Sequence, residues 1–142
     1  MLTYYVSLTP DDDTLLVECP DLPEVITFGE DKEDALGYAV GAIEEALACR
    51  MNYREDIPAP RRKNPGGLHP VRLPSLTMLK VELYREMRRQ SVSKAELARR
   101  MGIARQSVDR LLALNHASRL DAMDCAFAAL KQTLTIGMEQ VA

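Results

Sequence analysis

The most informative hydrophobic pattern runs from Lys94 to Ala113 (KAELARRMGIARQSVDRLLA), with apolar residues at helical spacing on both sides of Gly102. The pattern predicts two short helices that share an apolar wedge. Gly102 supplies the positive φ that ends the first helix, and Ala98 allows the two helices to cross closely. Ser93 and Glu96 form a capping box that predicts where the first helix begins. The predicted wedge positions are Leu97, Met101, Ile103, Val108 and Leu111.

The second predicted helix begins Ala104-Arg105-Gln106-Ser107, so its first turn offers a guanidinium, an amide and a hydroxyl. These groups hydrogen-bond to base edges in the major groove of DNA. An ordinary helical hairpin has similar apolar spacing. The stretch resembles the helix-turn-helix of the Cro and lambda repressor family, and the resemblance favours DNA binding.

Position along the two helices assigns roles in that interface. Arg105 and Gln106 are predicted to meet base edges, and Arg110, about one and a half turns further on, a base or a phosphate. A solvated helix face is the alternative for each arginine. One such domain covers few base pairs, so we expect a homodimer or a higher homo-oligomer on a palindromic operator. Contacts with the DNA backbone are predicted for Lys94, Arg99, Ser107 and Arg119.

The first half of the chain has the pattern of a small sheet and one helix. Two turns, Asp11 to Asp13 and Pro20 to Pro23, separate three stretches of β-forming residues and predict an antiparallel meander. The next helix has an apolar stripe that ends at Leu47, and we expect Gly37 and Gly41 to form a groove that lets it lie close to the sheet. The predicted strands are Leu2–Leu8, Thr14–Cys19 and Val25–Phe28.

Residues 51–70 are rich in proline and glycine and are predicted to form a loop. Val71 to Leu73 would add a fourth strand, which gives residues 1–74 the order β-β-β-α-β. Residues 75–142 are predicted to form an all-α domain, and Thr133 to Ala142 to be a short strand or a frayed tail. The fold class is therefore α+β with two domains. The first predicted helix of the second domain places Leu76, Leu79, Leu83 and Met87 on one face. The last predicted helix of that domain spans Leu120–Leu130.

Charge divides the chain more sharply than its net value of −3 suggests. Residues 1–58 hold 14 acidic and 3 basic residues, a net charge of −11, and residues 59–142 hold 7 acidic and 15 basic residues, a net charge of +8. A basic half suits a phosphate backbone, whose binding depends on Lys and Arg. The acidic half would be repelled by nucleic acid, so we expect it to bind a basic protein.

Several classes of function are disfavoured by composition. Three scattered cysteines, Cys19, Cys49 and Cys125, indicate reduced thiols instead of a disulfide framework. His69 and His116 have no cysteine partners at zinc-ligand spacing, and no cofactor motif is present. No segment reaches the roughly 18 apolar residues of a membrane span, and the N-terminus has no basic region before an apolar core. We expect a cytoplasmic protein with no membrane partner.

Taken together, the two halves resemble the HicB antitoxins of bacterial type II toxin-antitoxin systems, in the version with a helix-turn-helix. The motifs are PDLP at Pro20 to Pro23 and Gly29 followed by Asp34-Ala35-Leu36. The resemblance implies a partial ribonuclease H-like fold in residues 1–74, which binds and masks a small RNA-cleaving HicA-like toxin, and a DNA-binding domain that represses its own operon. Lys131 departs from the glycine that many helix-turn-helix domains carry there.

The resemblance implies a non-enzymatic role, but two alternatives stay open. One is a stand-alone transcription regulator whose first domain senses a ligand or dimerises. The other, disfavoured because the domain has too few elements to assemble a site, is a nuclease with two metal ions held by Asp13, Glu18, Asp21 and Asp34. The loop from Tyr53 to Lys63 is one candidate for toxin binding. The other is the acidic surface formed by Asp11, Asp12, Asp13, Asp21 and Glu24.

Overall fold

The computed structural model describes residues 2–61 and 66–141. The chain divides into two compact units, Met1–Met78 and Leu79–Ala142, with the boundary inside the second helix. The predicted α+β class is confirmed. Within the described residues, no helix combines the length and apolar character that a membrane span requires. The elements in chain order are β1 (Thr3–Asp11), β2 (Thr14–Cys19), β3 (Leu22–Gly29), α1 (Lys32–Asn52), β4 (His69–Arg72), α2 (Ser75–Gln90), α3 (Lys94–Met101), α4 (Arg105–Leu112) and α5 (Leu120–Ala129).

The first unit is a four-stranded antiparallel sheet with the order β3-β2-β1-β4. The predicted element order β-β-β-α-β is confirmed. Alternation along the strands places one set of side chains in the core with α1 and leaves the other set more exposed. The buried set includes Tyr4, Val6, Val17 and Val25 from the sheet and Ala35, Ala39, Ile43 and Leu47 from α1.

Strand β3 begins earlier than the hydrophobic pattern indicated. Cys19 pairs with Leu22, and the register shifts between Glu18 and Cys19, so the connection from β2 contains only Pro20 and Asp21. The prediction of a turn over Pro20 to Pro23 was therefore too long. Pro23 is tolerated within the strand because β3 lies at the edge of the sheet, where a missing N–H costs no ladder bond.

The glycines around α1 differ from the prediction. A Cβ added at Gly29 would lie 2.3 Å from the backbone N of Ala35, so the end of β3 touches the start of α1. Gly37 and Gly41, in contrast, are exposed and have nothing within 4 Å of an added Cβ. The predicted groove against the sheet is wrong, because the two glycines lie on the solvent side of α1.

The second unit contains the four helical segments that follow Met78. In α2, Leu76 and Leu79 are only half-buried, whereas Leu83 and Met87 are buried as predicted. Helix α5 ends one residue before the predicted Leu130. Residues 133–141 lie outside any helix or strand, so of the two predicted alternatives for that segment the chain shows the tail.

The end of α5 is capped through Lys131, which has a φ of 59°. The N–H of Gln132 donates to the Phe127 carbonyl at 2.9 Å, and the N–H of Lys131 donates to the Ala128 carbonyl at 3.0 Å. These two bonds form a Schellman cap, in which the left-handed position usually holds glycine. The cap thus keeps its usual form, with a lysine in the strained position.

Candidate functional site

The turn between α3 and α4 has the geometry predicted from its sequence. The hydroxyl of Ser93 accepts a hydrogen bond from the N–H of Glu96 at 3.1 Å, which fixes the first residue of α3. Gly102 has a φ of 67°, and the N–H of Ile103 donates to the Ala98 carbonyl at 3.1 Å. The left-handed residue ends α3 and lets α4 leave in a new direction.

Packing between α3 and α4 uses most of the predicted wedge. Leu97, Ala98, Val108 and Leu111 are buried, whereas Met101 and Ile103 are half-buried. The same packing turns the opposite side of α4 toward solvent. Its exposed residues are Arg105, Gln106, Asp109 and Arg110.

Two of these residues offer free cationic groups. In the part of the chain that the structure describes, the guanidinium groups of Arg105 and Arg110 form no ion pair and no side-chain hydrogen bond. Helix α4 also starts without a side-chain cap, because Ala104 has no acceptor. Its first N–H groups and the positive end of its dipole are therefore available to an anion. This combination is suited to phosphates and to base acceptors.

The other predicted DNA contacts are less free. The Nζ of Lys94 lies 2.8 Å from a carboxylate oxygen of Asp109. The Arg99 guanidinium pairs with Glu96 at 2.5 Å. Arg119 pairs with Asp121 at 3.2 Å, and both side chains are largely exposed. Each of these cations would have to exchange its carboxylate for a phosphate to contact DNA. The remaining predicted contact, Ser107, is half-buried in the first turn of α4.

Glu96 also departs from the predicted capping box. Its carboxylate accepts from Arg99 and from Arg100, at 3.0 Å for the latter, instead of reaching back to the Ser93 N–H. These hydrogen bonds lower the pKa of Glu96 to about 2. The serine half of the capping box is thus present, and the glutamate half is replaced by ion pairs on the surface of α3.

A buried lysine that the sequence interpretation missed supports the end of α4. Lys80 has no exposed surface, and its Nζ donates to the Arg110 carbonyl and to the Ser118 hydroxyl, both at 2.8 Å. Burial lowers the pKa of Lys80 to about 8. A signal was present, because residue 80 lies between Leu76 and Leu83 at helical spacing on the apolar stripe of α2.

In the first unit, two of the predicted toxin-binding acids already have partners. Asp21 accepts from the side chain of Arg61 at 3.0 and 3.1 Å and from its backbone N–H at 3.1 Å. Burial raises the pKa of Asp21, but the Arg61 hydrogen bonds and charge outweigh it and lower the net value. Glu24 pairs with Arg50 at 2.5 and 3.1 Å, and these hydrogen bonds lower its pKa.

The Arg61 pair attaches the segment after α1 to the turn before β3, and the Arg50 pair attaches the last turn of α1 to β3. Arg50 also donates to the Asp56 carbonyl at 3.0 Å, and the Tyr4 hydroxyl donates to the Pro58 carbonyl at 2.9 Å. The predicted toxin-binding loop, Tyr53 to Lys63, is therefore anchored over its described part. Its last two residues, Arg62 and Lys63, lie outside the described residues.

The three remaining acids form the tip of the β1–β2 hairpin. Asp11, Asp12 and Asp13 are all exposed, and Asp12 has a φ of 53°. The Asp11 carbonyl accepts from the Thr14 hydroxyl at 2.9 Å, which holds the turn. Three carboxylates at one exposed tip create a local negative potential that suits a basic surface.

The carboxylates considered for a two-metal site are not brought together. Asp21 is paired with Arg61, and Asp34 accepts from the N–H of Glu30 at 2.9 Å at the start of α1. Across residues 2–61 and 66–141, no group of three or more His, Cys, Asp or Glu side chains is arranged to hold a metal ion. In the same ranges Cys19 is a buried thiol, and Cys49 and Cys125 are exposed thiols.

Comparison with known proteins gives one consistent result. Residues 3–82 match the family described as HicB_like antitoxin of bacterial toxin-antitoxin system. The chain is 32% identical over 139 residues to Antitoxin HicB of Pseudomonas fluorescens (strain Pf0-1), covering 98% of this chain and 95% of the relative. It is 33% identical over 138 residues to Antitoxin HicB of Escherichia coli (strain K12), covering 96% and 99%. Antitoxin HicB 2 of Photorhabdus laumondii is 33% identical over 135 residues.

The matches place the chain in the class of antitoxins from bacterial toxin-antitoxin systems. Within that class, the chain belongs to the HicB antitoxin family. The resemblance noted from the PDLP motif and the Gly29 segment is thereby confirmed. The structure adds a reason for one motif residue, because only glycine fits between the end of β3 and the backbone of Ala35.

Proposed function

We propose that this chain is an antitoxin with two binding activities and no catalytic one. Its first domain, residues 1–74, binds and neutralises a cognate HicA-like toxin that cleaves RNA. Its second domain, residues 75–142, binds operator DNA as a homodimer or higher homo-oligomer and represses its own operon. The first domain is a partial ribonuclease H-like fold, and α3 and α4 act as a helix-turn-helix. The protein works in the cytoplasm.

The observation that carries this proposal is the division of charge between the two structural units. Residues 1–78 hold 14 acidic and 7 basic residues, a net charge of −7, and residues 79–142 hold 7 acidic and 11 basic residues, a net charge of +4. A toxin that handles RNA needs a basic surface, which an acidic unit complements. A basic unit in the same chain is suited to DNA.

For the DNA-binding domain, the support is the exposed side of α4. Arg105 and Gln106 project from an uncapped helix start, and Arg110 follows about one and a half turns after Arg105 with a free guanidinium. We assign base contacts to Arg105 and Gln106, a base or phosphate contact to Arg110, and a contact with the DNA backbone to Ser107. We assign phosphate contacts to Lys94, Arg99 and Arg119, whose present carboxylate partners would be exchanged for phosphate.

The two acidic groups of the first unit receive different roles. Asp11, Asp12 and Asp13 are proposed to contact the toxin directly, because their tip is exposed. Asp21 and Glu24 are proposed to act indirectly: Asp21 holds Arg61 on the segment that follows α1, and Glu24 holds Arg50, in the last turn of α1, which donates to the Asp56 carbonyl of that segment. That segment would then be presented to the toxin in one conformation, which lowers the entropic cost of binding.

A gel-shift with the DNA upstream of the protein's own reading frame tests the DNA-binding role. Arg105→Ala is expected to weaken binding by roughly 1 to 3 kcal/mol and to relax specificity at one base pair. Arg72→Ala removes the same charge from β4 and serves as the control, with near-normal affinity. Equally tight and equally specific binding by Arg105→Ala would remove this assignment.

Inhibition of RNA cleavage by the product of the adjacent reading frame tests the toxin-binding role. The triple change Asp11→Asn, Asp12→Asn and Asp13→Asn is expected to weaken inhibition by at least about tenfold, mainly through slower association. Asparagine keeps the left-handed conformation at residue 12 accessible. The control removes three exposed acids of the second unit with Asp121→Asn, Asp124→Asn and Glu139→Gln. Equal inhibition by both triple variants would exclude the hairpin tip.

A further inference from the structure

One end of the sheet carries an apolar patch on the side that faces away from α1. Along each strand, buried side chains alternate with outward ones. On the neighbouring strands β2 and β3, the register places Leu16 beside Phe28 and Glu18 beside Ile26. We call this part of the sheet the open face and define it by six outward residues of β1, β2 and β3. They are Ser7, Thr9, Leu16, Glu18, Ile26 and Phe28.

Two large apolar side chains of the open face are exposed. The exposed fractions are 60% for Ile26 and 47% for Phe28, and Leu16, beside Phe28, is half-buried. Ile26 and Phe28 both lie on β3, which is at the edge of the sheet. Edge strands of soluble proteins usually carry charged residues or proline at outward positions, because an apolar edge promotes association. An exposed apolar pair in the middle of an edge strand therefore marks a surface that a partner covers.

Carboxylates border this apolar pair. Glu18, opposite Ile26, is exposed and forms no ion pair within the described residues. Thr9, beside Leu16, is two residues from Asp11, so the acidic hairpin tip begins about 7 Å further along β1. None of the six residues of the open face is basic. A surface with an apolar centre and an acidic border is complementary to a partner with an apolar centre and a basic border.

We propose that the open face is the surface on which the toxin docks, with Ile26 and Phe28 at the centre of the interface. Basic groups of the toxin then face Glu18 and the hairpin tip. This inference rests on the proposed function and deepens it, since it assigns the centre of the toxin interface. The two parts of the surface have different kinetic roles. Exposed charges at the tip raise the association rate, and the buried apolar pair lowers the dissociation rate.

Charge favours a basic partner over a second copy of this chain on the open face. A two-fold contact places the same patch of both copies face to face. Glu18 and the hairpin tip would then approach the same carboxylates of the second copy, and opposed like charges weaken binding. The first unit as a whole holds 14 acidic and 7 basic residues, a net charge of −7, so two such units also repel each other at longer range.

Surface plasmon resonance with the full-length chain immobilised and the product of the adjacent reading frame in solution measures both rates. The double variant Ile26→Thr, Phe28→Thr keeps β-forming residues and removes the apolar pair. Its dissociation rate is expected to rise at least about tenfold, and its association rate to change less than about threefold. Tyr38→Ala removes a side chain that is 59% exposed on α1 and is the matched control, with near-normal rates. Unchanged dissociation from the double variant would overturn the proposal.

Reversal of the carboxylate beside Ile26 tests the acidic border at an exposed position, where substitution has little effect on folding. Glu18→Lys is expected to weaken binding of the same product at least about tenfold, because the new cation faces basic groups of the toxin. Glu45→Lys makes the same charge change at an exposed position of α1 and is the control. Equal affinity of the two variants would contradict the placement of the toxin on the open face.

A labelling experiment locates the toxin directly in a chain that carries Cys49→Ser and Cys125→Ser, which removes the two exposed thiols. The product of the adjacent reading frame is expected to slow the reaction of Phe28→Cys with a maleimide at least about tenfold and to leave the reaction of Tyr38→Cys unchanged. Protection of Tyr38→Cys alone would place the toxin on α1 and overturn the proposal. Protection of Phe28→Cys by a higher concentration of the chain itself, without that product, would identify a second copy as the occupant.

The two proposals fail separately in these experiments. A wild-type chain that does not bind the product of the adjacent reading frame would contradict the proposed function. Normal binding by the wild type and by the double variant Ile26→Thr, Phe28→Thr would overturn only the assignment of the open face.

Discussion

The Nζ of Lys94 lies 2.8 Å from a carboxylate oxygen of Asp109, so one ion pair joins the start of α3 to the exposed side of α4. Both side chains are more than two-fifths exposed, so the pair contributes little to stability. We expect a larger effect of this ion pair on DNA binding. Asp109 places a negative charge between Arg105 and Arg110, and it pairs with the Lys94 ammonium group that is proposed to contact phosphate.

Replacement of Asp109 by asparagine is expected to strengthen binding to unrelated DNA by about three- to tenfold near 0.1 M salt, because one repulsive charge is lost and Lys94 becomes free. The slope of log affinity against log salt should steepen by about one unit. Asp124→Asn removes an equally exposed charge from α5 and is the control. Weaker binding by Asp109→Asn would mean that the carboxylate contacts a base instead.

Gly29 is predicted to be irreplaceable for packing of the first unit. A methyl group there would overlap the backbone of Ala35, so Gly29→Ala should lower the free energy of unfolding by roughly 2 to 3 kcal/mol. Gly37→Ala, at an exposed position inside α1, should raise it by roughly 0.5 to 1 kcal/mol. Urea unfolding followed by circular dichroism measures both changes. Equal effects would disprove the close approach of β3 to α1.

Lys131 carries a strained backbone that glycine would relieve. Lys131→Gly is expected to raise the free energy of unfolding by about 0.5 to 1 kcal/mol, because the left-handed conformation costs a residue with a Cβ more than it costs glycine. Lys131→Ala removes the same charge and keeps the Cβ, so it should give no such gain. A gain of the same size in both variants would point to the charge instead of the backbone.

The buried Lys80 predicts a dependence of stability on pH. Its pKa of about 8 in the folded chain lies below the ordinary value of 10.5, so the unfolded chain binds the proton more tightly. The free energy of unfolding should therefore rise between about pH 8 and pH 10.5, by about 1 to 3 kcal/mol. The neutral amine retains two donors for the Arg110 carbonyl and the Ser118 hydroxyl.

Lys80→Met should lack this rise, which thermal or urea unfolding at several pH values would measure against the wild type. Lys32→Met, which removes an exposed lysine from α1, is the control and should keep it. A parallel rise in wild type and Lys80→Met would show that Lys80 is not the group that titrates.

Local patterns predicted the local features well. The pattern around Gly102 correctly predicted a left-handed cap, and the turn residues between β-forming stretches correctly predicted the meander. A fourth strand was predicted at Val71 to Leu73, and it begins two residues earlier, within the predicted loop, at His69. The errors concern contacts between residues that are distant in sequence. Arg61 is 40 residues from Asp21, so composition showed two charges but not their pairing. Period alone also left open which side of α1 the glycines Gly37 and Gly41 occupy.

Lys80 and Lys131 illustrate a second limit. A lysine on an apolar stripe or at a helix end is usually solvated, and only its surroundings show that it is buried or strained. The acceptors of Lys80 come from residues 30 and 38 positions away. The strain at Lys131 follows from the Schellman cap at the end of α5. Because the sequence has lysine where glycine is usual, it did not show whether this cap would form.

Growth after co-expression with the adjacent reading frame tests the two-activity account most directly. That frame should arrest growth alone, and both the wild-type chain and the double variant Arg105→Ala, Gln106→Ala should restore it. Only the wild type should also repress a reporter fused to the upstream DNA. An adjacent product without toxicity, or a toxic one that the wild-type chain fails to neutralise, would contradict the account.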